Sequence, residues 1–158
     1  MDILTGIGNR RFAEQVINTK LYEMKTFNFF FGVILFDVDY FKLFNDTYGH
    51  KTGDAVLRMV AKTVGGTLRQ QDQVCRWGGE EFVVIIANTQ LSILKKVCER
   101  IRIFIEKSFI IEAGQKLNVT VSLGATLSRL NDTMETLNRA DRLMYDGKNM
   151  GRNRFLVD

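Results

Sequence analysis

Val74-Cys75-Arg76-Trp77-Gly78-Gly79-Glu80-Glu81-Phe82-Val83-Val84-Ile85-Ile86 decides the fold of this 158-residue chain. Apolar β-formers stand on both sides of a Gly-Gly pair, a pattern that predicts a β-hairpin with the glycines in its turn. The strands are expected at about residues 73–76 and 82–87. Two adjacent carboxylates, Glu80 and Glu81, follow the turn, and Arg76 is the only base nearby in sequence. On a surface hairpin such a tip is ordinarily just solvated. The other reading is half of a metal or phosphoryl-transfer site, and the rest of the chain decides what the acids face.

Working outward, residues 52–68 carry Ala55, Val56, Met59, Val60, Thr63 and Val64 at helical spacing, a helix that ends at or near Gly65-Gly66 or just beyond, and residues 89–107 repeat this with Leu91, Leu94, Val97, Cys98, Ile101 and Ile105. Residues 28–36 are apolar on both faces, so a central strand is expected there, running into Asp37-Val38-Asp39 and covered by helices on at least one side. Residues 118–127 alternate, which predicts a strand with one polar face. Helices at 9–25 and 132–145 and a short edge strand at 154–157 complete the order α β α β β α β α β. Its centre, βαββαβ, is the ferredoxin-like or palm-type α+β pattern: an antiparallel sheet with helices packed on one face. The N-terminal helix and C-terminal edge strand are additions to it. In that topology the first core strand lies beside the hairpin, so Asp37 meets the tip at Glu80.

Composition sets the class. With 46% apolar and 25% charged residues the chain suits one globular domain over residues 1–158. The longest apolar run, residues 29–36, is too short to span a bilayer, and no secretory leader is visible. Cys75 and Cys98 have neither disulfide nor metal-ligand spacing and read as buried thiols of a reducing compartment. The net charge of +4 is spread without a basic tract, which favours a small anionic ligand over nucleic acid.

Asp37 and Asp39 are two apart, so on an extended chain they point the same way, and with Glu80 and Glu81 four carboxylates converge. Such charges repel unless a cation neutralises them, and hard carboxylate oxygens suit Mg²⁺ or Mn²⁺ shared with phosphates. For Asp39 the N-cap of the short turn at 40–44 is the favoured role over joining that set. That turn, with Lys42, would cradle phosphates. In Asn45-Asp46-x-x-Gly49-His50-x-x-Gly53-Asp54, an amide and a carboxylate could read a guanine edge, although turn chemistry and a helix N-terminal charge account for each residue separately. His50, the sole histidine, suits a structural or ligand-lining role.

These residues together resemble the GGDEF-domain diguanylate cyclases, here written Gly-Gly-Glu-Glu-Phe. The resemblance rests on four ordered motifs: residues 2–11 (Asp-Ile-Leu-Thr-Gly-Ile-x-Asn-Arg-Arg); Asp37-Val38-Asp39-x-Phe41-Lys42 continuing to Gly53-Asp54-x-x-Leu57; residues 76–82; and Ala140-Asp141-x-x-Met144-Tyr145-x-x-Lys148-x-x-Gly151-Arg152-Asn153. It covers nearly the whole chain. It implies condensation of two GTP to cyclic di-GMP and pyrophosphate across a two-fold homodimer, with two Mg²⁺ or Mn²⁺ per active site. Asp37, the Val38 carbonyl and Glu80 would hold metal; Glu81 stands beside them as ligand or support. Glu80 would also deprotonate the 3′-hydroxyl. Asn45 and Asp54 would bind guanine, with Leu57 lining the pocket and His50 nearby. Tyr40 and Phe41, through the backbone, and Lys42, Lys148 and Arg152 would hold phosphates, and the bare backbone of Gly78 and Gly79 would let the nucleotide approach.

Arg69-Gln70-Gln71-Asp72 sits where the family has its inhibitory RxxD site for cyclic di-GMP. Trp77 replaces a more usual Tyr or Phe, and Tyr40 a His or Arg. The resemblance further implies a cytoplasmic domain without membrane or nucleic-acid contact, excised from a longer protein with an N-terminal sensory or dimerising region; membrane attachment of that protein is left open. A non-catalytic cyclic di-GMP receptor and a GTP-binding regulatory domain are the rival readings.

Overall fold

A computed structural model describes residues 1–129 and 133–158. The chain runs α1 (Arg10–Phe27), β1 (Gly32–Val38), α2 (Phe41–Tyr48), α3 (His50–Gly65), β2 (Gln73–Gly78), β3 (Glu81–Ile86), α4 (Leu91–Lys107), β4 (Ile110–Glu112), β5 (Gln115–Leu117), β6 (Val121–Leu127), α5 (Thr133–Asn149) and β7 (Arg154–Val157). The main sheet has the order β2-β3-β1-β6-β7. β1 lies between β3 and β6, antiparallel to both, and β7 adds a parallel edge beside β6. The α+β reading and the neighbouring of strand one and hairpin therefore hold.

The helices do not keep to one face. On one side, Ile34, Phe36, Phe82, Val84 and Ile86 pack under Val56, Leu57 and Val60 of α3 and Leu94, Cys98 and Ile101 of α4. On the other, Val33, Leu35, Val83 and Ile85 meet Ala13, Ile17, Leu21 and Met24 of α1 and Leu137, Ala140 and Met144 of α5. A strand apolar on both faces requires this double cover. α1 is set by Asn9, whose side chain accepts from the Phe12 amide at 2.9 Å, and stopped by Asn28 in the left-handed region.

Four expectations need correction. The stretch from Phe41 is a two-turn helix rather than a five-residue turn, and α3 begins at His50 rather than Thr52, although it closes at Gly65, where the paired glycines placed its end. The first core strand begins at Gly32, leaving Phe29 and Phe30 exposed before it. A small hairpin, β4–β5, was not anticipated. The polar face expected of β6 is present, and it is buried: Ser122 and Thr126 have no exposure, and Gly124 lies against the α5 backbone, where a Cβ would stand 2.1 Å from the Ala140 carbonyl oxygen. The expected start of the last helix at Asp132 falls outside the described residues.

Candidate active site

The hairpin turn is Gly79-Glu80, with Gly78 paired to Glu81 after an irregularity between Arg76 and Gly78. Gly78 is thus the end of β2, not a turn residue. Gly79 has φ +41, and nothing lies within 4 Å of a Cβ built at either glycine, so the backbone here is open to a ligand. Arg76 locks the tip. Its Nε donates to the Gly79 carbonyl at 2.9 Å and its Nη1 to Asp2 Oδ1 at 3.2 Å, while Asp2 Oδ2 accepts from the Thr5 amide at 2.9 Å.

The end of β1 meets the tip directly. Asp37 is opposite Glu81 on β3, and the Val38 amide donates to the Glu80 carbonyl at 3.2 Å. Asp37 and Glu81 open into a groove of about 560 Å³ walled by α5 through Asn138, Asp141, Arg142 and Lys148. Lys148 Nζ donates to Asp37 Oδ2, whereas Asp37 Oδ1 is buried without a partner. Burial, with Glu80 and Asp141 nearby, raises Asp37 above the usual carboxylate range although Lys148 opposes this. Burial first, and then Asp37 and Asp141, push Glu81 up to about 7.

Asp39 does not join this set. It is 5% exposed and accepts from Thr120 Oγ1 at 2.7 Å, Ser122 Oγ at 2.6 Å and the Asn153 amide at 3.0 Å. Nor is it an N-cap: α2 begins after Tyr40, in the left-handed region with φ +55, and has no side-chain cap. The strand ends at Val38, so the alternation that placed Asp37 and Asp39 together stops one residue early. Among the described residues no three acidic, histidine or cysteine side chains are grouped to hold a metal ion, so the convergence of four carboxylates is reduced to Asp37 with Glu81 across from it and Glu80 and Asp141 close enough to be felt. The donor chemistry still fits a hard divalent cation: Asp37 Oδ1 is unpartnered, and the Lys148 ammonium on Oδ2 leaves Asp37, Glu80, Glu81 and Asp141 still repelling one another.

The junction of α2 and α3 carries the other predicted residues. Asn45 lies over Gly53, where a Cβ would come within 1.8 Å of Asn45 Oδ1, and that oxygen is buried without a partner. Asp54, His50 and Lys42 are exposed on the same two helices. Leu57 is 2% exposed and belongs to the core, so it is no open pocket wall. Phe41 is half-buried and stacks on Phe44. Tyr40 does more than lend its backbone, since the Arg152 guanidinium sits 4.4 Å over its ring. Arg152 and Asn153 share the left-handed conformation with φ +62 and +46. Three such residues meeting where α5 ends beside α2 make a shaped corner.

Arg69 and Asp72 grip one another. Arg69 Nη2 and Nε donate to the two carboxylate oxygens at 2.9 and 3.0 Å, and Asp72 Oδ1 also accepts from the Ala87 amide at 3.0 Å. The Asp72 side chain is 2% exposed and that of Arg69 44%. The pair closes the α3–β2 loop, and only the arginine faces solvent. Sequence reasoning missed Asp141 as a member of the acidic set and Lys148 as its counter-charge. The spacing of seven from Asp141 to Lys148, two helical turns, was the available signal.

Residues 1–154 match the family model "Diguanylate cyclase, GGDEF domain". The chain is 41% identical over 128 residues to diguanylate cyclase A of Treponema denticola, covering 80% of this chain and 34% of that protein. It is 40% identical over 156 residues to the response regulator PleD of Caulobacter vibrioides, covering 96% and 34%. The chain thus spans about a third of the length of these curated relatives. Among solved structures it is similar to the diguanylate cyclase SiaD from Pseudomonas aeruginosa, in complex with its activator SiaC (TM-score 0.97, 35% identity, 99% of this chain and 61% of that one). It is also similar to the GGDEF domain of DgcB from Caulobacter crescentus in complex with c-di-GMP (TM-score 0.95, 30% identity, 99% and 94%).

Proposed function

The chain belongs to the GGDEF-domain diguanylate cyclase family, and from that premise we propose that it condenses two GTP molecules into cyclic di-GMP and pyrophosphate as a cytoplasmic catalytic module spanning residues 1–158. The observation that carries this reading is the unbalanced acid pair, Asp37 against Glu81, opening into a groove beside the bare Gly78-Gly79 backbone.

Asn45 and Asp54 bind the guanine edge; the unpartnered Asn45 Oδ1 is an acceptor awaiting a donor such as a guanine N–H. Lys42, Lys148 and Arg152 take the phosphates, assisted by backbone N–H groups after Tyr40. Asp37, the Val38 carbonyl and Glu80 would hold Mg²⁺ or Mn²⁺, two ions per site, with Glu81 in support. A metal held by these residues would supply Lewis-acid stabilisation of phosphoryl charge and make a nearby hydroxyl more acidic. Glu80 receives the proton of the 3′-hydroxyl. The 3′-oxygen bonds to the α-phosphorus of the GTP on the partner subunit, the bond to pyrophosphate breaks, and the cationic side chains offset the leaving charge. Two such steps across a two-fold dimer close the ring.

Product inhibition at Arg69 and Asp72 belongs to the same proposal. The half-exposed Arg69 is the arm that reaches phosphate or guanine, and Asp72 engages only by giving up bonds from Arg69 or the Ala87 amide. No helix among the described residues is long and apolar enough to cross a membrane. The test is GTP turnover with Mg²⁺ on protein fused to a dimerising coiled coil, with Glu80→Gln as control. Cyclic di-GMP from the parent and none from the variant is expected; no product from the forced dimer, or equal product from both, refutes the proposal. Arg69→Ala is expected to leave turnover intact and relieve inhibition by added product.

A further inference from the structure

The acidic groove is not waiting empty of charge. Lys148, three residues before α5 gives way to Gly151 and Arg152, turns back and pairs with Asp37 Oδ2. Both partners are largely shielded, with side-chain exposures of 27% and 13%. The ion pair is therefore not one of the solvated surface pairs that contribute little. The α5 backbone that carries Lys148 is pressed against Gly124 of β6, so the helix cannot slide away and only the lysine side chain is free to leave. Its ammonium occupies the carboxylate that, on the reading above, takes the metal.

We infer that Lys148 is an internal cation that holds Asp37 closed to free divalent metal and yields it only when nucleotide phosphates give the ammonium another partner. The inference rests on the proposed cyclase reading. An ammonium and a divalent cation cannot both touch Asp37 Oδ2 at low cost, because a single and a double positive charge about 4 Å apart in a half-buried site repel strongly. Metal arriving alone must displace Lys148 into water. Metal arriving with a triphosphate brings the lysine its replacement: the phosphates lie where Arg152, four residues on, also points its guanidinium toward Tyr40. Lys148 thus couples metal to nucleotide, with each raising the affinity for the other. Asp37 Oδ1, which has no partner, remains as the position from which exchange starts.

The experiment is Mn²⁺ binding by electron paramagnetic resonance, with and without 3′-deoxy-GTP, which cannot react because it lacks the attacking hydroxyl. Wild-type protein is compared with Lys148→Met, and with Lys148→Gln, which keeps a donor to Asp37 without the charge and serves if the methionine variant does not fold. Without nucleotide, both variants are expected to bind Mn²⁺ roughly ten-fold more tightly than wild type, and the gain in affinity on adding nucleotide is expected to shrink correspondingly. Lys148→Arg, which keeps the charge, is expected to remain weak. Nucleotide-free affinity that is unchanged or weaker in the neutral variants overturns the inference while leaving the cyclase reading intact. Wild-type protein that binds no Mn²⁺ even with 3′-deoxy-GTP overturns both.

Discussion

Gly124 offers the sharpest test of how the site is held. A Cβ at this position would meet the Ala140 carbonyl oxygen at 2.1 Å, the Met144 amide nitrogen at 2.2 Å and the Leu143 carbonyl carbon at 2.9 Å, all of them backbone atoms of α5. Tolerable contacts begin near 3.4 Å, so Gly124→Ala must open the shortest one by about 1.3 Å, and no rotamer can absorb the change. The helix itself has to lift. Overpacking of this kind costs about 1–3 kcal/mol or more. The same shift moves Asp141 and Lys148, and a displacement of about 1 Å in positioning groups can cost on the order of a hundred-fold in rate. Gly147, on α5 itself, is the control: a Cβ there finds its nearest neighbour at 3.6 Å, in ordinary contact. Gly147→Ala is expected to be neutral or to stabilise by up to about 1 kcal/mol through helix propensity. Urea unfolding of both variants, with cyclic di-GMP formation read in parallel, decides the matter. Gly124→Ala within about 0.5 kcal/mol of wild type, the ordinary range for a neutral surface change, would refute the claim that helix and sheet touch backbone to backbone here.

Three further outcomes follow. Asp39→Ala removes the acceptor for Thr120, Ser122 and the Asn153 amide, and is expected to cost about 3 kcal/mol in urea unfolding, because it strands buried donors. Asp72→Ala frees the Ala87 amide and Arg69 together and is expected to cost about 2–3 kcal/mol, whereas Arg69→Ala costs less because its guanidinium is half in water; equal losses would contradict the clamp. Glu81 binds its proton more tightly folded, at about 7, than in the unfolded chain near 4.5. Stability in chelator is therefore expected to fall as pH rises from 4.5 to 7, by about 1–2 kcal/mol after allowing for solvent screening, and Glu81→Gln is expected to flatten that slope.

The sheet was legible because its strands bear unmistakable patterns: residues 82–86 and 33–36 are continuous β-formers, and the Gly-Gly-Glu-Glu interruption marks their meeting. α2 is hidden from the pattern because a two-turn helix with one buried residue, Phe44, shows no period to detect. The β4–β5 hairpin was missed for a similar reason: its strands have three residues each, and its turn places Ala113, not only Gly114, at positive φ. The polar alternation of residues 118–127 is legible, but the burial of its polar face is not. Ser122 and Thr126 are buried because Asp39 and Arg139 reach them, and partners 83 and 13 residues away leave no local trace. Lys148 against Asp37 is the same case at a separation of 111 residues.

Asp37 and Asp39 show how a structure sorts two chemically identical side chains two residues apart. Asp39 has a donor for each line of approach: two hydroxyls and a backbone amide arranged around a carboxylate at 5% exposure. Its charge is balanced by dipoles fixed in β6 and in the corner at Asn153, so it ties the end of β1 to the end of α5 and has nothing left to offer a ligand. Asp37 is one pleat earlier, where its neighbours across the sheet are Glu81 and Ser122, and it receives a single mobile ammonium and leaves one oxygen bare. Burying a carboxylate in that state has a cost that a purely structural residue would shed, since Asn in its place would remove the repulsion from Glu81. The cost is intelligible if the missing partner is a cation that comes and goes. The rigid Asp39 then fixes the corner against which that exchange takes place, and for this reason Asp39→Asn, which keeps the shape and loses the charge, is expected to weaken the fold without altering Mn²⁺ affinity, whereas Asp37→Asn, which relieves the repulsion from Glu81 but strands the Lys148 ammonium, is expected to change the metal-free stability little and abolish Mn²⁺ binding. If both substitutions affected metal and stability alike, this division of labour would be wrong.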